Sequence, residues 1–212
     1  MAKYKLEIII FLSGAIVMIL ELIGSRILAP YLGTSIFVWT SLIGLILAAL
    51  SIGYYLGGRF SVKNPNFGFL SLMLISAALL TVIINVIKEP IIKNAMTFGI
   101  RSGSILSTLS LFFLPSIALG MISPYAIRLK IKNIDTSGSA AGKLYAISTV
   151  GSIAGTFAAG FWLIPNFGST NIIIGLGLGL LVLSFIADFK YLTVKIIYFL
   201  LLLLIIFFSK LE

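Results

Sequence analysis

The chain contains neither cysteine nor histidine among its 212 residues. These absences exclude disulfide bonds, thiolate nucleophiles, Ser-His triads and the usual zinc sites, so no metal or cofactor is expected. Charged residues make up 10% of the chain and hydrophobic residues 60%, whereas a soluble domain carries about 25% charged residues. Such a composition cannot cover a water-exposed surface with polar groups. The sequence therefore predicts an integral membrane protein.

The apolar segments are continuous rather than alternating, which disfavours a β-barrel. Backbone groups in lipid must then be satisfied within helices. We expect an all-α transmembrane bundle of six or seven spans, forming one membrane domain over residues 1–212. The turn signal IPNFGSTN, Ile164–Asn171, divides one long charge-free stretch into two spans. The approximate bounds of the spans, of which the last is the least certain to cross, are 6–28, 36–57, 67–87, 102–127, 144–164, 171–188 and 191–208.

Basic residues are distributed unequally between the two sides of this arrangement. Of the 15 basic residues, ten fall at span ends on the N-terminal side, four fall on the opposite side, and Arg26 lies within a span. The positive-inside rule then predicts a cytoplasmic N-terminus in the cell membrane. The net charge of +9 indicates anionic lipid headgroups as a partner rather than nucleic acid, because the basic residues lie between apolar runs.

Glu21 and Arg26 lie inside the first span. A charge near the centre of a spanning helix costs about 2.5–3.5 kcal/mol on insertion scales, so it usually faces protein, water or another charge. Ser25 lies one turn beyond Glu21 on the same face. Glu21 is a candidate for holding a cation or relaying a proton, and the alternative is a structural ion pair. Five residues separate Glu21 from Arg26, about 140° around an ideal helix, which favours a partner on another helix or a ligand.

Glycines in two spans have the spacing of close helix contacts. Gly53 and Gly57 in the second span, and Gly151 and Gly155 in the fifth, form small-xxx-small pairs that let backbones approach. Packing is the favoured interpretation of both pairs. Gly175, Gly177 and Gly179 lie within a span with no strand before them, so they are not a phosphate-binding loop.

Two further polar residues of the fifth span, Tyr145 and Ser148, are candidates for lining a polar cavity.

Prolines are expected to end or bend helices. Pro30 is expected to close the first span, Lys88, Glu89 and Pro90 to end the third, and Pro124 to end the fourth. Pro115 predicts a kink within the fourth span.

Three blocks of sequence resemble the membrane portion of the spermidine-synthase-like membrane proteins, which are often described as fused major-facilitator/spermidine-synthase proteins. They are ELIGSRILAPYLGTSIFVWTSLIGLILAALSIGYYLGGR, PSIALGMISPYAIRL and GKLYAISTVGSIAGTFAAGFWLIPNFG. The resemblance implies a multi-pass helical domain, usually joined to a soluble aminopropyltransferase-like domain. No soluble nucleotide-binding unit follows the last apolar run, so polyamine synthesis and its catalytic residues are not carried over.

The resemblance and the polar residues together predict small-solute transport or binding, with a polyamine-like cation as the candidate ligand. The predicted ligand-binding residues are Glu21, Ser25, Arg26, Tyr145 and Ser148. The alternative is a membrane anchor or scaffold for a separately encoded soluble aminopropyltransferase-like enzyme. An intramembrane enzyme is disfavoured because the spans hold no histidine, cysteine or paired carboxylates. Six or seven spans are about half of a major-facilitator-sized bundle, which predicts a homo-oligomer.

Overall fold

The structure, a computed structural model, describes residues 4–62, 64–131 and 137–208. This part of the chain is helical and contains no strand. The helix bounds are α1 Lys5–Leu32, α2 Ile36–Phe60, α3 Phe67–Met96, α4 Gly99–Lys130, α5 Ser137–Asn166, α6 Ser169–Ala187 and α7 Leu192–Phe208. Helix α5 contains a π-helical segment at Ala159–Leu163.

Helices α1 to α6 are each long and apolar enough to cross a membrane. The predicted all-α, multi-pass bundle is therefore confirmed. Helix α7 has 17 residues and is about 25 Å long at 1.5 Å per residue. A bilayer core is about 30 Å thick, so a seventh crossing stays a prediction.

The prolines do not end the helices, and the prediction that Pro30 closes the first helix is wrong. Helix α1 continues past Pro30, α3 past Pro90, and α4 past both Pro115 and Pro124. A proline removes one backbone hydrogen bond, and neighbouring helices in a membrane bundle can compensate for that loss. Helix α1 ends instead at Gly33, which has φ of 72° and donates its N–H to the carbonyl of Ala29 at 2.9 Å.

Two parallel helix pairs, α1 with α5 and α2 with α4, form the closest contacts of the bundle. A Cβ added at Gly53 or Gly57 of α2 would lie within 3.0 Å of backbone atoms of α4. The same holds for Gly151 and Gly155 of α5 against α1. The predicted packing role of these four glycines is confirmed, because only a missing side chain lets the backbones approach this closely.

The two pairs are equivalent, residue by residue. Gly53 and Gly57 face the carbonyls of Ile117 and Met121, and Gly151 and Gly155 face those of Phe11 and Ala15. Ile117, Gly120 and Met121 have the same spacing as Phe11, Gly14 and Ala15.

Helices α1 and α4 run in opposite directions, since Glu7 at the start of α1 contacts Lys130 at the end of α4. Helices α2 and α5 are opposed in the same way. The units α1–α2 and α4–α5 therefore form an inverted repeat about a pseudo-two-fold axis perpendicular to the helices.

Polar contacts fix the ends of the remaining helices. Near the start of α6, Thr170 accepts a hydrogen bond from the Lys88 ammonium of α3 at 2.8 Å. At the end of α6, the buried ammonium of Lys195 donates to the carbonyls of Ser184 and Asp188. A cation at a helix C-terminus satisfies free carbonyls and opposes the helix dipole. This contact holds the start of α7 against α6.

Candidate functional site

A cavity of about 40 Å³ lies between α1, α2, α4 and α5. It is nearer the N-terminal side of the bundle, which is the side where α1, α3 and α5 begin. Hydroxyl groups and glycine backbone supply much of its wall. The lining residues are Ser13, Gly14, Val17, Leu50, Tyr54, Leu119, Gly120, Ser123, Ser148 and Ser152.

Each residue that lines the cavity has its equivalent position in the other repeat, and that equivalent residue lines the cavity as well. On α1 and α4 the pairs are Ser13 with Leu119, Gly14 with Gly120, and Val17 with Ser123. On α2 and α5 the pairs are Leu50 with Ser148 and Tyr54 with Ser152. The cavity therefore lies on the pseudo-two-fold axis. Transporters built from inverted repeats place their ligand sites at the repeat interface.

The hydroxyl groups of the wall are not all used by protein partners. Ser13 is 2% exposed, and its hydroxyl has no hydrogen-bond partner among the described residues. Ser152 donates its hydroxyl hydrogen to the Gly14 carbonyl at 3.2 Å. A polar cavity of about 10–15 Å³ or more can hold a water molecule. This cavity thus has room for one to about three waters and lacks room for a polyamine.

Glu21 lies close to this cavity without lining it. Ser13, Val17 and Glu21 follow one another at four-residue spacing, so they share one face of α1. The cavity reaches Val17, and Glu21 is about 6 Å further along the helix axis. The carboxylate is half-buried near the middle of α1 and has no hydrogen bond or ion pair within the described ranges.

Three of the other predicted ligand residues have different surroundings. The Ser25 hydroxyl donates to the carbonyl of Leu22 in its own helix at 2.8 Å. The Arg26 guanidinium is exposed and donates to the carbonyl of Ile164, just after the π-helical segment of α5. Tyr145 is 55% exposed and lies outside the cavity wall. Ser148 alone of the five lines the cavity.

A second polar cluster closes the N-terminal side between α1, α4 and α5. The Glu7 carboxylate, 10% exposed, accepts a hydrogen bond from the Lys130 ammonium at 2.8 Å and lies 4.0 Å from that of Lys143. From the sequence, both lysines were only two of the basic residues at span ends on the N-terminal side. An acidic residue in the first turn of a spanning helix, facing basic loops, was the available signal for this ion pair.

Sequence analysis also missed Ser13, Tyr54, Ser123 and Ser152 as cavity-lining residues. Single serines are common in membrane helices, where they usually bond to their own backbone. The four lining residues differ from other polar residues of the helices in the glycine spacing around them. This spacing is the same in both helix pairs.

No family model, curated protein or solved structure matches the chain. The resemblance to the spermidine-synthase-like membrane proteins therefore stays a prediction from the sequence.

Proposed function

We propose that the protein binds or transports a small cationic solute in the cell membrane, with its N-terminus in the cytoplasm and Glu21 as the cation-binding carboxylate. The observation that supports this most strongly is the carboxylate of Glu21, which lies near the middle of α1 and has no partner among the residues that the structure describes. An unpaired charge at such a depth is costly. A cation, whether a proton or a larger species, relieves that cost.

The location of the polar cavity adds support. It lies on the axis of an inverted repeat, one helical turn from Glu21, and its walls supply neutral hydroxyl groups. A polyamine-like cation, which the sequence resemblance suggests, is larger than this cavity. Its binding therefore requires α2 and α5 to move apart, and these two helices make almost no contact with each other.

Uptake into proteoliposomes tests this function. Vesicles containing the protein are given labelled spermidine, or an inward-directed proton gradient with a pH-sensitive dye inside. Glu21→Gln keeps the shape of the side chain and removes its charge, so uptake is expected to fall to the level of empty vesicles. The matched control is Glu89→Gln, which removes a carboxylate at the exposed Glu89–Lys93 pair. Unchanged uptake in the Glu21 variant would refute the proposal.

The small cavity favours a second function, the anchor or scaffold for a soluble aminopropyltransferase-like enzyme. The N-terminal side presents exposed basic residues at the end of α4 and the start of α5, including Arg128 and Lys143. Co-sedimentation of such an enzyme with the proteoliposomes tests this function. Binding that is lost in Arg128→Glu, together with no cation uptake, is the result that this alternative predicts.

A further inference from the structure

We infer that the cavity on the pseudo-two-fold axis is filled with water and gives protons on the N-terminal side access to Glu21, so that the cation exchanged at Glu21 is a proton. This inference rests on the proposed role of Glu21 in cation binding and names the ion. It follows from the size and chemistry of the cavity, from the short distance between the cavity and Glu21, and from the gap between α2 and α5.

The chemistry of the wall selects water over a metal ion. Ten residues line the cavity, and none of them carries a charge at neutral pH. A bare cation in such a site would be buried without a counter-charge, which is strongly unfavourable. Water needs two to four polar partners, and the hydroxyls of Ser13, Ser123 and Ser148 with the carbonyl of Gly14 can supply them.

The Ser13 hydroxyl gives separate evidence that the cavity holds a water molecule. Its hydroxyl is buried and has no protein partner among the residues described, although it lies in the cavity wall. A buried polar group without a hydrogen-bond partner destabilises the folded protein. A water in the cavity removes this penalty.

The cavity ends a short distance from Glu21. Val17 lines the cavity, and Glu21 lies one turn beyond it on the same face of α1. The distance along the axis is about 6 Å, which two hydrogen-bonded waters can span. The residue of α4 that is equivalent to Glu21 is Ile127. Only one of the two repeats therefore has a carboxylate at this position.

Helices α2 and α5 both line the cavity and make almost no contact with each other, so the opening is assigned to the gap between them. Tyr54, which lines the cavity, is 49% exposed at this edge. The Glu7–Lys130 pair closes the neighbouring gap between α1 and α4. Lys143 of α5 also lies 4.0 Å from the Glu7 carboxylate, whereas α6, which packs against α1, contains no ionisable residue.

Cysteine labelling tests whether the cavity holds water. The chain has no cysteine of its own, so each introduced thiol is read without background. A small cationic methanethiosulfonate reacts with thiolate, which forms only where water is present. Ser123→Cys and Ser148→Cys are expected to react at least about tenfold faster than Ile43→Cys and Ile153→Cys, which lie on the outer faces of α2 and α5. Equally slow reaction at all four positions shows a dry cavity and overturns the inference.

Infrared spectroscopy in heavy water tests access to Glu21. The protonated carboxyl band that disappears in Glu21→Gln is assigned to Glu21, and its exchange is followed at several pH values. Ser13→Leu fills the cavity and is expected to slow this exchange about tenfold. Ser152→Val is the second filling variant, should Ser13→Leu fail to fold. Unchanged exchange in the filled protein overturns the inference, as does the absence of a Glu21 carboxyl band at any pH.

These outcomes are separable from the proposed function. Fast labelling and exchange together with normal uptake by Glu21→Gln would leave the hydrated path standing and refute the cation-binding role. Loss of uptake in Glu21→Gln together with a dry cavity would support the cation-binding role and refute the hydrated path.

Discussion

Several charged side chains within the helices of this bundle have partners on another helix. Glu7 accepts from Lys130, Lys88 donates to Thr170, and Arg26 donates to the carbonyl of Ile164. These contacts lie near helix ends, where a charge is closer to water. Glu21 instead lies near the middle of its helix and has no partner among the described residues. We therefore assign function to Glu21 rather than to Arg26.

At the residue scale, Glu7→Gln is predicted to lower stability. The substitution leaves the Lys130 ammonium without its carboxylate partner, at an expected loss of about 1.5–3 kcal/mol, the range for hydrogen bonds to charged groups. Thermal unfolding in detergent measures the effect. Glu89→Gln serves as the control and should melt close to the unmodified protein, because an exposed ion pair contributes little. A Glu7 variant that melts like this control would contradict the assigned pairing.

At the scale of the element, the two parallel helix pairs determine the packing. Gly53→Ala and Gly151→Ala each place a methyl group against the backbone of the facing helix. We predict a similar loss for both, about 1–3 kcal/mol, as for other overpacked sites. Gly44→Ala on α2 and Gly160→Ala on α5 meet no atom within 4 Å and should be neutral or slightly stabilising.

The measurement for these four variants is the fraction that stays folded at increasing temperature in one detergent. Equal melting of Gly53→Ala and Gly44→Ala would show that the α2–α4 contact is looser than described. A large loss in only one of the two helix pairs would contradict the equivalence of the repeats.

The sequence predicted the elements well and their ends poorly. Apolar length and turn chemistry located the helices, since a membrane span is specified by its hydrophobicity. The prolines misplaced the ends of α1, α3 and α4, because tertiary packing compensates for the lost hydrogen bond at Pro30, Pro90 and Pro124. The cavity could not be predicted from single serines, since it depends on which helices the glycines bring together.

At the scale of the whole molecule, the orientation is predicted from charge. The described helices alternate in direction, so the end of α4 and the start of α5 lie on the same side as the start of α1. An impermeant maleimide applied to intact cells should label Phe98→Cys, between α3 and α4, and should leave Gly138→Cys, at the start of α5, unmodified. The opposite pattern would invert the topology and place the opening of the cavity outside the cell.

The assembly is predicted to be a dimer or a higher oligomer. Helix α5 buries much less of its surface within the bundle than α1, α3, α4 or α6, which leaves an apolar face for lipid or for a second copy. Native mass spectrometry from lipid nanodiscs and from mild detergent measures the stoichiometry. A monomer in both environments would contradict the prediction.

The central claim is that Glu21 binds a cation rather than stabilising the fold. Its most direct test measures the melting temperature and cation binding on the same Glu21→Gln preparation, using spermidine and proton uptake as the two probes. The account predicts a protein that melts close to the unmodified form, or above it, because an unpaired charge has been removed from the bundle, and that binds neither probe at this site. A Glu21→Gln protein that melts much earlier and still binds normally would contradict it.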